Sequence, residues 1–467
     1  MSVNNGLEKI RNGQPMSARE QISLVAALSF PAILAQLTTV IMQYIDTAMV
    51  GRLGAEGVAA IGLVSSSTWL TSGLTTAIGI GFSVQIAHLI GAKEDAAARS
   101  AMRFGLLTAV GWSLAVAAIG ALAAPHLPVW FGADKSIHAD ASMYFRIFAL
   151  FLPMLQLRFT AGNMLQSSGN MKVPGLLNII ACILDVGFNL VLIFPTRTYE
   201  LGDRCLTVPG AGLGVTGAAL GTVFSETVCA LLMVGFLLFR SEKLRLRKEE
   251  AGKHGSYRNM LAKALRIGLP VGIEQAVTGG AQVINTGIVS PLGTVSIAAN
   301  SLAVNAESLC YMPGFGIGAA ASTAVGQSIG AGRKDLTKKL AWIAMCLGMG
   351  MMTLCGGLLY IFAPQMFAFL TTADHVRQLG IQVLRIELIA EPLFAASLVG
   401  AGIFRGAGRT RGSTFINLIG MWMIRLPLAK VLSARIGLPG VWIAMCTDLC
   451  VRGILFLIRL GKAEFHS

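Results

Sequence analysis

The chain has 467 residues, of which 54% are hydrophobic and only 13% charged, with a mean hydropathy of +0.68. A soluble domain carries about twice that charged share, and the apolar excess runs the whole length, so the composition excludes a soluble protein held by a single anchor. The net charge of +14 sits mostly in connections between apolar runs, which argues against nucleic acid as a partner, and the eight cysteines form no CxxC pair or Cys/His cluster that would indicate a disulfide framework or a metal centre.

In chain order, the first twenty residues are polar, with Glu8, Lys9, Arg11, Arg19 and Glu20. No short apolar core precedes a small-residue cleavage site, so no cleavable signal peptide is expected. Twelve apolar spans of roughly 20 residues or more follow. They lie near 23–48, 57–88, 104–124, 141–164, 174–195, 212–239, 265–290, 296–329, 339–363, 379–403, 413–434 and 437–458. The connection at 240–266 carries Arg240, Lys243, Arg245, Arg247, Lys248, Lys253, Arg258, Lys263 and Arg266. The opposite set of connections holds only Arg52, Lys135, Arg197, Arg204, Arg377, Lys430 and Arg435. This is the positive-inside pattern, and it places both termini in the cytoplasm. A compact chain with short termini suits a bacterial inner (plasma) membrane. The 54 glycines fit close helix packing. Seven cysteines in apolar runs read as packing residues, while Cys205 stands in a polar loop without an evident partner. The cluster "MCLGMGMMTLC" at 345–355 reads as filler in a lipid-exposed span.

Internal repetition is the strongest feature. At an offset of 239, "LSFPAILAQ" (28–36) meets "IGLPVGIEQ" (267–275), and "IDTAMVGRLGAEGVAAIGL" (45–63) meets "INTGIVSPLGTVSIAANSL" (284–302). "IGA" at 90–92 meets "IGA" at 329–331, "SGNMK" (168–172) meets "AGRTR" (407–411), and Asn178 meets Asn417. Beyond this the register breaks, and "GVTGAAL" (214–220) meets "GLPGVWI" (437–443) only across an extra loop, "PTRTYELGDRCLTVPGAG". Six spans per copy is an even number, so the copies enter from the same side as parallel repeats about an axis along the membrane normal. The expected division is an N-terminal bundle over 1–240, a basic cytoplasmic linker over 241–258 and a C-terminal bundle over 259–467. Two bundles facing each other across a cleft suit an alternating-access transporter, with a channel or a membrane enzyme as the other uses of such a scaffold.

These residues resemble the multidrug and toxic compound extrusion (MATE) transporters over nearly the whole chain. The resemblance is carried by "DTAMVGRLGAEGVAAIGL" and its echo "NTGIVSPLGTVSIAANSL", by "LQSSGNMKVP", by "FRGAGRTRG" and by "RLPLA" at 425–429. It implies an all-α, V-shaped exporter of twelve helices in two bundles, exchanging cytoplasmic organic compounds, often cationic, for sodium ions or protons without ATP or another cofactor. No GxxxxGK[ST] motif occurs in the chain. The turn "GAKEDAAARSAMR" does not fit the basic signature of the major facilitator class.

Ionisable groups inside spans are costly and mark cavities or pathways. Asp46 is either a solvated helix end or a group kept for use, and the apolar "TAMV" that continues before Arg52 favours the second. Its repeat mate is Asn285, so the scaffold accepts a neutral amide there. In the resembling family the matching first-helix aspartate belongs to the coupling site. Asn178, Asp185 and Asn189 recur at spacings of seven and four on one face of the fifth span, as a cation site or as interhelical hydrogen bonding. Many family members have the Asn first and the Asp four residues later. The order here is reversed, which puts the equivalence of Asp185 in doubt.

In the second bundle, Glu274 and Gln275 beside Pro270, Asn285, Glu307 within "VNAESL", and Glu391 within "AEPLFAAS" are the expected substrate or cation cavity. Glu387 reads as a structural partner of Arg385, and Arg425 as a counter-charge to a buried carboxylate. Glu226 and Asp448 are equally open to packing and function. The expected partners are small organic cations, sodium ions or protons and the bilayer, with the chain a monomer. The alternatives are a flippase for a lipid-linked precursor, which would favour a cationic cleft, and a membrane enzyme, for which no catalytic spacing is present.

Overall fold

The computed structural model describes residues 3–131, 133–201, 204–246 and 256–465; Arg247, Lys248 and Lys253 of the basic connection lie outside them. Apart from one hairpin, the regular structure is helical. A short helix α1 (Val3–Arg11) precedes α2 (Ala18–Gly51), α3 (Gly54–Gly91), α4 (Asp95–Ala123), a single turn α5 (Leu127–Trp130), α6 (His138–Ser167) and α7 (Lys172–Leu192). The strands β1 (Pro195–Leu201) and β2 (Arg204–Ala211) lead to α8 (Gly214–Gly235). The second half comprises α9 (Tyr257–Val289), α10 (Thr294–Gly330), α11 (Lys334–Leu370), α12 (Asp374–Leu388), α13 (Glu391–Gly406), α14 (Thr410–Ile419), α15 (Leu426–Ile436) and α16 (Leu438–Gly461).

Among the described residues, eight helical segments are individually long and apolar enough to cross a membrane, and α12 with α13 makes a ninth, bent by 59°. The remaining long helices, α6, α9 and α10, complete twelve spans and carry many of the polar side chains considered below. The tenth span, near 379–403 in the sequence, is not one continuous helix. It breaks because Pro392, in the first turn of α13, lacks an N–H and disfavours helical geometry in the residue before it. The loop after the fifth span is an antiparallel hairpin, with Thr198 opposite Thr207 and Tyr199 opposite Leu206. The eleventh span is widened at Gly420–Arg425, a π-helical segment between α14 and α15.

The repeat is visible in the backbone. Adding 239 to the first residues of α2 and α4 gives the first residues of α9 and α11, and adding it to the last residues of α3 and α6 gives those of α10 and α13. Left-handed turn residues obey the same rule: Gly54 and Gly293, Lys93 and Gly332, Gly169 and Gly408 all have positive φ. Only Lys93 departs from glycine, the residue that takes this conformation without a Cβ penalty.

The two bundles meet through α2 packed on α10 and α3 packed on α9. At Gly81 an added Cβ would collide with the Ala264 carbonyl, and at Gly268 with the Ala77 carbonyl, so α3 and α9 touch backbone to backbone. Hydrogen bonds between the bundles gather at the end that holds both termini. There Gln85 donates to Met260 O (3.0 Å) and Thr323 to Gln166 O (3.0 Å). Towards the other end Ile41, Trp69, Leu70, Val283, Ile284 and Val304 are exposed on the same helices that pack the bundles together. Met345 and Met352 of the methionine cluster are fully buried, so that run is partly core instead of lipid-facing filler.

Candidate functional site

Asp46 stands in the second-to-last turn of α2, inside the helix and half-buried. Opposite it on α7, Asp185 is fully buried and Asn189 is 2% exposed. One amide nitrogen joins them: Asn189 Nδ2 donates to Asp46 Oδ1 (3.0 Å) and to Asp185 Oδ2 (3.1 Å). Ser225 Oγ of α8 donates to Asp185 Oδ1 at 3.4 Å. The reversed order of Asp and Asn still puts both on the face of α7 that meets Asp46. Two carboxylates bridged by a single neutral donor in an apolar bundle repel each other unless a proton or cation sits with them. The Asn189 Oδ1 atom is itself buried without a hydrogen-bond partner, an unused acceptor beside two carboxylates.

Asn178, about two turns from Asp185 on α7, does not join this pair. Its Oδ1 accepts from Arg158 Nη2 (2.8 Å), and Arg158 Nη1 reaches Glu226 at 2.6 Å. The second bundle repeats the device. Asn417, the repeat mate of Asn178, accepts from Arg452 (3.5 Å), which pairs with fully buried Asp448 at 2.8 Å. Glu226 and Asp448 are thus carboxylates already neutralised by an arginine.

The acids expected to form one cavity in the second bundle fall into separate places. Glu274 of α9 is held by α14, accepting from Thr414 Oγ1 (3.0 Å) and Asn417 Nδ2 (2.6 Å). Gln275 is exposed and lies against Gly73 of the first bundle. Asn285 is buried with its Oδ1 unpartnered. Glu307 of α10, Glu387 of α12 and Glu391 of α13 lie within electrostatic range of one another around the break in the tenth span. Glu387 and Glu391 are fully buried, and all four of their carboxyl oxygens lack a hydrogen-bond partner. Arg425 is buried within electrostatic range of Glu307, Glu387 and Asp448, and its Nη2 meets Met445 Sδ at 2.6 Å. Among the described residues no group of three His, Cys, Asp or Glu side chains could hold a metal ion.

A family model described as MatE matches the chain twice, over residues 31–191 and 270–431. The two matches begin 239 residues apart and together cover more than half of the chain. The chain belongs to the MatE family. It is similar to a probable multidrug resistance protein NorM of Thermotoga maritima, 24% identical over 441 residues that cover 94% of this chain and 92% of the relative. A probable multidrug resistance protein YoeA of Bacillus subtilis is 24% identical over 420 residues, covering 88% of each. Among solved structures, a MATE protein in complex with MaL6 matches with a TM-score of 0.86 at 21% identity, covering 98% of both chains. A variant of the Vibrio cholerae MATE transporter VcmN matches with a TM-score of 0.86 at 18% identity, covering 95% of this chain and 97% of that one.

Within this MatE chain, the sequence reading of Glu387 as a partner of Arg385 does not hold. Arg385 does not pair with it; its Nε donates to Tyr360 O (3.3 Å) and its guanidinium lies 5.0 Å from the Tyr360 ring centroid. Residues two apart on a helix point to different sides, which was the available signal.

Proposed function

We propose that this MatE transporter is a secondary active exporter that trades sodium ions or protons for small organic, mainly cationic, compounds across the plasma membrane, working as a monomer with both termini in the cytoplasm. The bundles are 1–240 and 259–467, joined by the basic linker 241–258. The observation that carries the reading is the Asp46–Asn189–Asp185 arrangement. A proton or sodium ion arriving through the cleft between the bundles neutralises that pair and removes the repulsion between α2 and α7. Binding drives transport only if the outward- and inward-facing states hold the ion differently. A pair whose geometry depends on how α2 sits against α7 meets that requirement. Setting aside the arginine-paired Glu226 and Asp448, acids outnumber bases among the candidate site's buried and half-buried groups, with Asp46, Asp185, Glu274, Glu307, Glu387 and Glu391 against Arg425. This suits a cationic substrate and disfavours an anionic lipid-linked one.

The test is export of a fluorescent organic cation from proteoliposomes with sodium and proton gradients imposed separately. One gradient should drive export in the wild type and fail in Asp46→Asn. Export indifferent to both gradients would overturn the reading.

A further inference from the structure

The ends of α3 and α10 cross where the bundles meet, and the crossing is twofold in detail. His88 Nε2 is 2.7 Å from Gly406 O, and Gln327 Nε2 donates to Ser167 O at 2.8 Å. Adding 239 to 88 gives 327, and adding it to 167 gives 406, so the two bonds are mates. The glycines beneath them are mates too: a Cβ on Gly91 would collide with Gln327 O, and one on Gly330 with His88 O. Ser167 and Gly406 are the last residues of α6 and α13, so each carbonyl is one that a helix leaves without an intrahelical donor. Each bundle therefore caps the end of a helix in the other.

We propose that these reciprocal caps are the cytoplasmic gate of the transporter, and that α1 is the strap that holds it. The proposal rests on the exporter reading for its direction, since a cleft open on one side must close on the other. Gln327 is 1% exposed, so the seam is dry and the caps separate only when the bundles part. α1 spans the same seam. Arg11 pairs with Asp95 of α4 at 2.6 Å, and Arg333, just after α10, donates to Lys9 O of α1 (3.5 Å) and to Gln14 O in the turn that follows it (2.5 Å). Leu7 is buried against Gly169, where a Cβ would strike its side chain. When the bundles part, both caps are lost together and α1 keeps its hold on one side only. The copies differ in one respect: the first donates from an imidazole, the second from an amide.

The test measures the distance between spin labels placed by unnatural amino acids at the exposed Lys93 and Lys334, in full-length protein in lipid nanodiscs without substrate. The wild type should show one dominant short distance. His88→Ala with Gln327→Ala should raise the long-distance population at least tenfold, and each single alanine should raise it by less. His88→Gln, which keeps a donor in place, should leave the distribution as in the wild type. An unchanged distribution in the single or double alanine variants would overturn the proposal, as would equal opening in His88→Gln. Arg333→Gln should add long-distance population if α1 is the strap, and no change there removes α1 from the gate. Because the readout is conformational, failure of gradient-driven export leaves it interpretable.

Discussion

Asp46 and Asn285 occupy the same position in the two copies, one a half-buried carboxylate bridged to Asp185 and the other a buried amide whose oxygen has no partner. The duplicated helix tolerates either side chain. Asp46→Asn should therefore fold, with stability changed by about 1 kcal/mol or less because the acceptor for Asn189 remains. Gradient-driven export should vanish, since an amide neither releases a proton nor supplies negative charge to a cation. Full export by this variant would return Asp46 to a solvated helix end. Efflux and thermal unfolding on the same purified protein separate the two outcomes.

Asn189→Ala removes both hydrogen bonds of the bridge, the one that ties Asp46 of α2 to α7 and the one that orients Asp185 within α7. Hydrogen bonds to charged groups contribute about 1.5–3 kcal/mol each, so coupled export should fall by at least about tenfold and the unfolding temperature should drop. A wild-type transport rate in Asn189→Ala would mean that the bridge does not position the pair.

Arg452 and Asp448 are a buried ion pair, so Arg452→Leu strands a carboxylate and should destabilise the protein by about 3–5 kcal/mol. Adding Asp448→Leu should recover most of that loss. If Arg452→Leu is no less stable than the wild type, Asp448 does not depend on Arg452 for its charge.

Arg385 and Glu387 should respond in opposite ways. Arg385→Ala loses a partly exposed contact with Tyr360 and should leave export within about twofold of wild type, as for a surface site. Glu387→Gln removes one of three mutually repelling buried acids, so it should not destabilise the protein, yet coupled export should fall. Equal and small effects of both would show that the glutamates at the break only pack.

Topology is checked by labelling. A tag inserted within 243–258 should be reached by an impermeant reagent only after the cytoplasmic side is opened, and one in the hairpin at 197–208 from the outside of intact cells. Labelling of both from one side is incompatible with the single span, α8, that lies between them.

Twelve spans and the 239-residue repeat were legible in the sequence because both rest on local chemistry. Span length is set by bilayer thickness, and the turns at Gly54, Gly293, Gly169 and Gly408 need residues that accept positive φ. The pairing of Asp46 with Asp185 was foreshadowed by their residue types, but the bridging role of Asn189 depends on how α2 leans on α7, which no local pattern encodes. Glu274 and Glu391 were grouped because both neighbour a proline. The packing of α9 on α14 and the bend at Pro392 separate them. The hairpin was read as a loop because Pro195, Gly202, Pro209 and Gly210 punctuate it, and its pairing at Thr198–Thr207 is non-local.

The even number of spans in each copy bears on how such a chain could arise. A single copy begins and ends on the same side of the bilayer, so two unlinked copies would insert in the same sense and associate as a parallel homodimer. No ancestor inserting in both orientations is needed, and fusion of the genes requires only a tether on the side where the ends already meet. Sequence drift after fusion is then released from self-complementarity. A charge at position 46 need not be matched by one at 285, and one bundle can specialise in ion chemistry that its twin has no obligation to share.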